Sequence, residues 1–254
     1  MSAFENFRIA RHGHVAVVTI DRPPVNAMDR TVRTEGTEIF SMLGEDADCR
    51  AIVLTGAGRT FCAGADLNDR PDPTVAGAYT THNRSVREFF QTVVECAKPV
   101  IVAINGPAIG GGFVLATCGD ILVASDDAWV SMPEVDIGLA GGVRHMLRHF
   151  GQSDARLLMF TGRRVGTQEL LRMGVLSETA PAEKMLEVAV AIGQEIARKS
   201  PAAVVAVKGS FLLGEEVGLH SGYRYEQGQS AILAKGQEHG EARAAFRERR
   251  PPKF

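Results

Sequence analysis

The sequence predicts an α/β fold, with a core of alternating strands and helices followed by an α-helical C-terminal segment. Three observations carry that reading. Short apolar runs bounded by glycine recur through the first half, as buried strands do. Amphipathic stretches of helix length separate them. Beyond Gly142 the helical pattern takes over almost completely.

In chain order, residues 7–11 and 15–20 read as strands about a turn at 12–14. Asp29 is placed to cap a helix running to Asp46, with Ile39, Met42 and Leu43 on its apolar side. Residues 51–55 are a buried strand ended by Gly56 and Gly58. A glycine-bearing loop (58–67) and a polar, proline-containing connection (68–74) lead to a helix over 76–97, which Lys98-Pro99 ends. Residues 100–104 form the next buried strand, and Gly110-Gly111-Gly112 opens a short apolar helix to Cys118. Residues 121–125 and 129–131 are strands, the second bringing Trp129 into the core. Helices over 142–150, 154–161, 167–173, 181–199, 201–213 and a last amphipathic one to Arg249 complete the chain. Residues 1–200 are read as the core and 201–254 as the helical segment, with 214–222 as the flexible join before the last helix.

A chain of 254 residues is long enough to bury a sizeable core. Its net charge of -2, with no block of like charges, argues against wholesale nucleic-acid binding. Cys49, Cys62, Cys96 and Cys118 are widely spaced, without a CxxC pair, and read as reduced thiols. The N-terminus shows no apolar signal core and no transit-type segment, and no apolar run has membrane-spanning length. The expectation is a soluble cytoplasmic protein with no membrane partner.

Two segments share one design, in which a buried strand meets a glycine-bearing turn and then a helix: 51–67 and 100–112. Glycine lets a ligand approach the backbone amides closely, and a helix start adds unpaired N–H groups. Two such turns from neighbouring strands can converge on one oxygen that becomes negative during reaction. Taken singly, each loop is an ordinary strand-to-helix connection. Neither matches GxGxxG or GxxxxGK[ST], so a nucleotide-binding reading is weak.

Three longer stretches give these loops a context. Residues 51–69, AIVLTGAGRTFCAGADLND, and 98–120, KPVIVAINGPAIGGGFVLATCGD, resemble the two oxyanion-hole segments of the enoyl-CoA hydratase/isomerase (crotonase) superfamily. Residues 131–142, SMPEVDIGLAGG, are similar to the segment that brings in that family's catalytic glutamate. The resemblance extends through AAFRERR at 244–250 and covers essentially the whole chain. It implies a crotonase-type ββα spiral core, with the N–H groups of Ala65 and Gly111 holding the thioester oxygen of an acyl-CoA and Glu134 as acid/base. It also implies that Val25 and the backbone around Ala63, Asp66 and Leu67 contact the CoA moiety. Arg22 takes over a phosphate grip where relatives carry a basic residue and this chain has prolines. Phe246 and Arg249 stand where relatives place a CoA-contacting aromatic and cation. CoA enters as part of the substrate, so no metal and no separate cofactor is implied. Assembly as a homotrimer or a dimer of trimers, through the segment 201–254, comes from the resemblance as well.

The chemistry suits those residue types. Removing a proton alpha to a thioester places charge on the carbonyl oxygen, and fixed amides stabilise that charge more in the transition state than in the ground state. A carboxylate near the alpha or gamma carbon then moves the proton. The informative departure is Val114. Hydratases of the family carry a second glutamate there, three residues after the oxyanion glycine. One carboxylate suffices to move a proton between C2 and C4, so Val114 favours isomerisation over hydration. Asp136, two residues beyond Glu134, would face the same side in an extended stretch and supply a second acid.

His145 and His149 are spaced i,i+4, without HExxH or a third ligand, so a metal is not implied. His145 is instead a candidate acid or hydrogen-bond donor to substrate. Hydrolysis of a thioester or a carbon–carbon bond is the alternative enzyme reading. An RNA-binding member of the fold is weaker, because the first long helix mixes Arg30 and Arg33 with Glu35 and Glu38 and presents no basic stripe. Asp120 is expected to pin a loop.

Overall fold

The computed structural model describes residues 4–254. Strands β1 (Phe7–His12) and β2 (Val15–Ile20) form an antiparallel hairpin, turning at Gly13 with φ of 63°. Helix α1 (Arg30–Glu45) follows, capped by Asp29, whose carboxylate accepts from the Val32 amide. Then come β3 (Ala51–Gly56), α2 (Ala78–Glu95), β4 (Val100–Ile104), the two-residue β5 (Ala108–Ile109), α3 (Gly111–Thr117), β6 (Ile121–Ser125) and β7 (Trp129–Ser131). The rest is α4 (Val143–Met146), α5 (Gln152–Thr161), β8 (Val165–Gly166), α6 (Thr167–Arg172), β9 (Glu178–Ala180), α7 (Ala182–Ala197), α8 (Pro201–Gly214), α9 (Leu219–Leu233) and α10 (Gln237–Glu248).

The main sheet runs β1-β2-β3-β4-β6-β9 and is parallel from β2 onward. Every residue of β3 and β4 is buried, as strands covered on both faces require. Side-chain alternation sorts them. Val15, Val17, Ala51, Val53, Ile101 and Ala103 pack with Met185, Ala189 and Val190 of α7. Ala16, Val18, Ile52, Leu54, Val102 and Ile104 point the other way, into the larger core with α1, α2 and α3. A smaller sheet, β5-β7-β8, stands beside it, and the bridge between Cys62 and Ala108 ties the β3–α2 connection to it.

The last three helices are fastened to the core at a few polar points. Buried Lys208 of α8 pairs with Asp120 at 2.8 Å and donates to the Lys98 carbonyl. Asp120 also accepts from the Val100 amide, which is the loop-pinning role read from sequence. Arg50 donates to the carbonyls of Ala197 and Phe254. No helix among the described residues is long and apolar enough to cross a membrane.

Several elements differ from expectation. The strands β5, β8 and β9 have two or three residues each, too few for periodicity to register. The final stretch is two helices, because Gly236, with extended φ/ψ of -79° and 157°, interrupts it. Helix α4 covers only four residues of the expected 142–150. Trp129 is half-buried, roofed by the Arg164 guanidinium at 4.1 Å from its ring.

Lys208→Ala is expected to lower the unfolding free energy by about 2–3 kcal/mol, since it strands the Asp120 carboxylate beside a low-dielectric wall. Urea denaturation measures this. A loss no larger than that from removing the exposed Arg84–Glu88 pair would show that the buried pair contributes little.

Candidate active site

The site grows from a clamp at the end of the main sheet. Asn26 is buried and held at φ of 56°, a left-handed conformation that asparagine tolerates better than most residues. Its side-chain amide donates to the carbonyls of Ala57 and Thr60, at 2.9 and 2.7 Å, while its oxygen accepts from the Arg22 amide. That fixes the chain ahead of the loop carrying residues 62–66. The loop is then stitched on both sides. Met28 donates to Gly64 O and Asp66 to Met28 O, while Ile109 donates to Cys62 O. The Ala65 amide lies between these bonds and, among the described residues, donates to none of them.

Across from it, α3 starts at Gly111, whose amide belongs to the unpaired first turn of a helix. A Cβ placed on Gly111 would sit 3.6 Å from Ala65 N, so the two amides border one small space. Two neighbouring glycines make that approach sterically feasible. Gly64, at φ of 92°, leaves no room for a Cβ, which would lie 2.7 Å from Ile109 O. Gly110, at φ of 52°, faces Glu134, whose Oε1 would be 2.5 Å from a Cβ there.

Glu134 lies on a single 3-10 turn, Pro133–Ile137, directly after β7. Its Oε2 is buried without a hydrogen-bond partner. Burial pushes the carboxyl up from 4.5, opposed by its own backbone amide and by the charge of Arg70. Loss of solvent without a compensating partner favours the protonated form of this carboxyl relative to a solvated glutamate.

Glu134, Gly111, Val114 and His145 line one cavity of about 640 Å³, against Val86 and Phe90 of α2. His145 stands edge-on to Phe90, with ring centres 5.7 Å apart. Burial, then the charge of Arg148, pushes its pKa down, which favours the neutral imidazole. His149 does not line that cavity, and its Nε2 bonds Thr117 O at 3.1 Å. Cys62, beside the loop, is fully buried and its thiol is pushed up to about 12, which disfavours thiolate chemistry.

The remaining expected residues are dispersed. Asp136 does not face the same side as Glu134, because the 3-10 turn replaces the extended stretch that would have aligned them. It is exposed and lies against Gly162 instead, 3.0 Å from where a Cβ would be. Arg22 is not a free cation awaiting a phosphate: it pairs with Asp66 at 2.7 Å and Asp29 at 3.1 Å and donates to Ala27 O. Val25 accepts from the Ala63 amide at 3.0 Å, and Leu67 stands largely in solvent at the edge of the same strip. The Asn68 amide and Arg22 together hold the Asp66 carboxyl below its ordinary value. Phe246 is 86% exposed and Arg249 ends α10; neither lines the cavity.

Sequence reasoning missed Asn26 and Arg33. Arg33, read there only as one charge of a mixed helix face, is buried. It donates to Ser85 Oγ and Met28 O and pairs with Asp69, locking α1 to α2 and to the loop. No local pattern marks either residue, although an asparagine just after a Pro-Pro turn is a reasonable seat for a left-handed conformation.

The sequence profile of the enoyl-CoA hydratase/isomerase family matches residues 10–254. A probable enoyl-CoA hydratase of Mycobacterium bovis is 33% identical over 258 aligned positions, covering 99% of this chain and 98% of the relative. A Rhodococcus jostii protein, (7aS)-7a-methyl-1,5-dioxo-2,3,5,6,7,7a-hexahydro-1H-indene-carboxyl-CoA hydrolase, is 35% identical over 219 positions, covering 86% and 85%. The crystal structure of an enoyl-CoA hydratase from Bacillus anthracis superposes with a TM-score of 0.93 at 30% identity, covering 98% of this chain and 99% of that one.

The raised Glu134 carboxyl has a consequence for stability. Its contribution is fully present below 4.5 and is lost as pH rises through the raised value. Glu134→Gln abolishes that titration, so the variant should gain stability relative to the parent between about pH 4 and about pH 7. Urea midpoints at both pH values measure it. A constant difference would mean that Glu134 titrates normally.

Proposed function

The chain belongs to the enoyl-CoA hydratase/isomerase family, and from that premise we propose that it moves a double bond along an acyl-CoA through a thioester enolate. The observation that carries the proposal is the buried, unpartnered Glu134 Oε2 in the cavity that Gly111 also lines, next to the unpaired Ala65 amide. The thioester oxygen is held by the Ala65 and Gly111 N–H groups. Ionised Glu134 takes a proton from C2 of a 3-enoyl thioester, and the electrons of that C–H bond delocalise onto the oxygen. The same proton returns at C4, which moves the double bond into conjugation and restores the carboxylate. Apolar burial raises the basicity of Glu134 for the first half of the exchange and its readiness to return the proton is retained.

Isomerisation is preferred to hydration because Val114, buried and apolar, lines the cavity where a second carboxylate would activate water. The CoA moiety runs along the strip of Val25, Ala63, Asp66 and Leu67, with Arg22 positioning Asp66 rather than holding phosphate. Phe246 and Arg249 reach a CoA only from a neighbouring subunit of a homotrimer or dimer of trimers. The exposed apolar residues Phe211, Leu219 and Ile232 of the segment 201–254 support such an assembly. A second reading, hydrolysis, is favoured by the partly buried His145 in the same cavity and by the hydrolase named above.

Absorbance of the conjugated enoyl thioester should rise when the purified protein meets a 3-enoyl-CoA. Glu134→Gln should lower kcat/KM by about 10²–10⁴-fold. In the parent, kcat/KM should fall on the acid side at a pH above 4.5, because only the ionised carboxylate accepts the proton. Absorbance that instead falls with a 2-enoyl-CoA would mean hydration, and release of free CoA detected by a thiol reagent would mean hydrolysis.

A further inference from the structure

We infer that the acyl group taken by this site carries a carboxylate at the end remote from the thioester, bound by Arg87 with Arg144 beside it. The inference rests on the acyl-CoA reading above and names the substrate class for that site. Helix α2 presents two parallel stripes to the cavity. Val86, Phe90 and Val94, four residues apart, form an apolar one that suits the methylenes of an acyl chain. Asn83, Arg87 and Gln91 form a polar one alongside it. All three residues of this polar stripe are solvent-exposed, so a ligand that reaches them meets hydrated polar groups.

The cations divide unequally. Arg148 is neutralised, because Glu215 accepts from its Nε at 3.0 Å. That pairing occupies the Glu215 carboxylate, so Arg144 reaches only the Glu215 backbone carbonyl, at 2.8 Å. Arg87 has no carboxylate within ion-pair distance among the described residues, whereas its neighbour Arg84 pairs with Glu88. Two other acids line the wall. Glu95 is engaged by the Gln91 amide at 2.7 Å, and two helical turns, about 12 Å of rise, separate it from Arg87. Glu216, the residue after Glu215, lines the cavity as well and forms no ion pair with Arg87 among the described residues. Arg87 is therefore the cation available to an incoming anion. Ala63, Asp66 and Leu67 do not line this cavity, so the space that Arg87 faces continues from Gly111 and Glu134 and is separate from the CoA strip. A guanidinium beside an apolar wall pairs well with a planar carboxylate.

The test is calorimetric titration of the parent and Arg87→Gln with saturated acyl-CoA pairs of four, six and eight carbons, each with and without a terminal carboxylate. Saturated ligands do not react, so binding is read separately from turnover. The parent should bind the carboxylated member of at least one pair about tenfold or more tightly than its alkyl partner. Arg87→Gln should bring that ratio close to one, Arg87→Lys should restore part of it, and a melting curve checks that each variant is folded. Equal affinities within every pair for the parent would overturn the substrate class and leave the acyl-CoA reading standing. Equal weakening of both members by Arg87→Gln would overturn it too, placing the arginine on the phosphates of CoA. Failure of every acyl-CoA to bind would overturn both readings.

Discussion

The contact on which this site depends is that between the Gly110 backbone and the Glu134 carboxylate. An oxygen lies 2.5 Å from where any side chain on Gly110 would begin, so the start of α3 and the turn after β7 interlock through the absence of a Cβ. The same junction is held from the other direction, since a Cβ on Gly64 would lie 2.7 Å from Ile109 O and 3.3 Å from the Gly111 amide. Three stretches of chain, far apart in sequence, thus come together where side chains on these glycines would have no room. Close-packed interiors do not stretch to absorb a misplaced methyl group, so such a junction is either intact or rearranged.

Around it, the protein separates its charges by environment. Arg22, Asp29 and Asp66 satisfy one another at the edge of the loop and stay ionised. Glu134 receives no such partner and is half-buried, with its Oε2 shielded from solvent. A carboxylate with a good ion pair is a poor proton carrier at neutral pH, whereas one that loses solvent without gaining a partner is a good one. The bonds from Asn26 and Arg33 serve the same end indirectly: they hold the loop so that the Ala65 amide need not find an acceptor within the chain. Leaving polar groups unpaired costs stability, and the rigid parallel sheet beneath supplies the compensating burial.

The cavity beyond the junction is not uniform. Apolar side chains of α2, Val114 and Glu134 line it together with charged residues of α2, α4 and the end of α8. On the proposed function, Glu134 and Val114 bear on the reaction type, and the polar residues of α2 bear on which acyl group is held.

The α/β class, the order of the long elements and the hairpin, glycine-turn and helix-cap positions were legible in sequence, because burial periodicity, glycine and the Asp29 cap act over a few residues. The matching stretches 51–69, 98–120 and 131–142 also identified the family and the residues to examine, including Glu134 and the Ala65 and Gly111 amides. Tertiary structure alone decided the rest. It curled 133–137 into a 3-10 turn, which took Asp136 away from Glu134. It closed Arg22 into a carboxylate network, buried Arg33, and split the last helical stretch at Gly236. It also left Arg87 lining a cavity with no carboxylate within ion-pair distance of it among the described residues. In each instance the outcome depends on which distant side chain competes for the same partner or space, and such competition leaves no trace in local pattern.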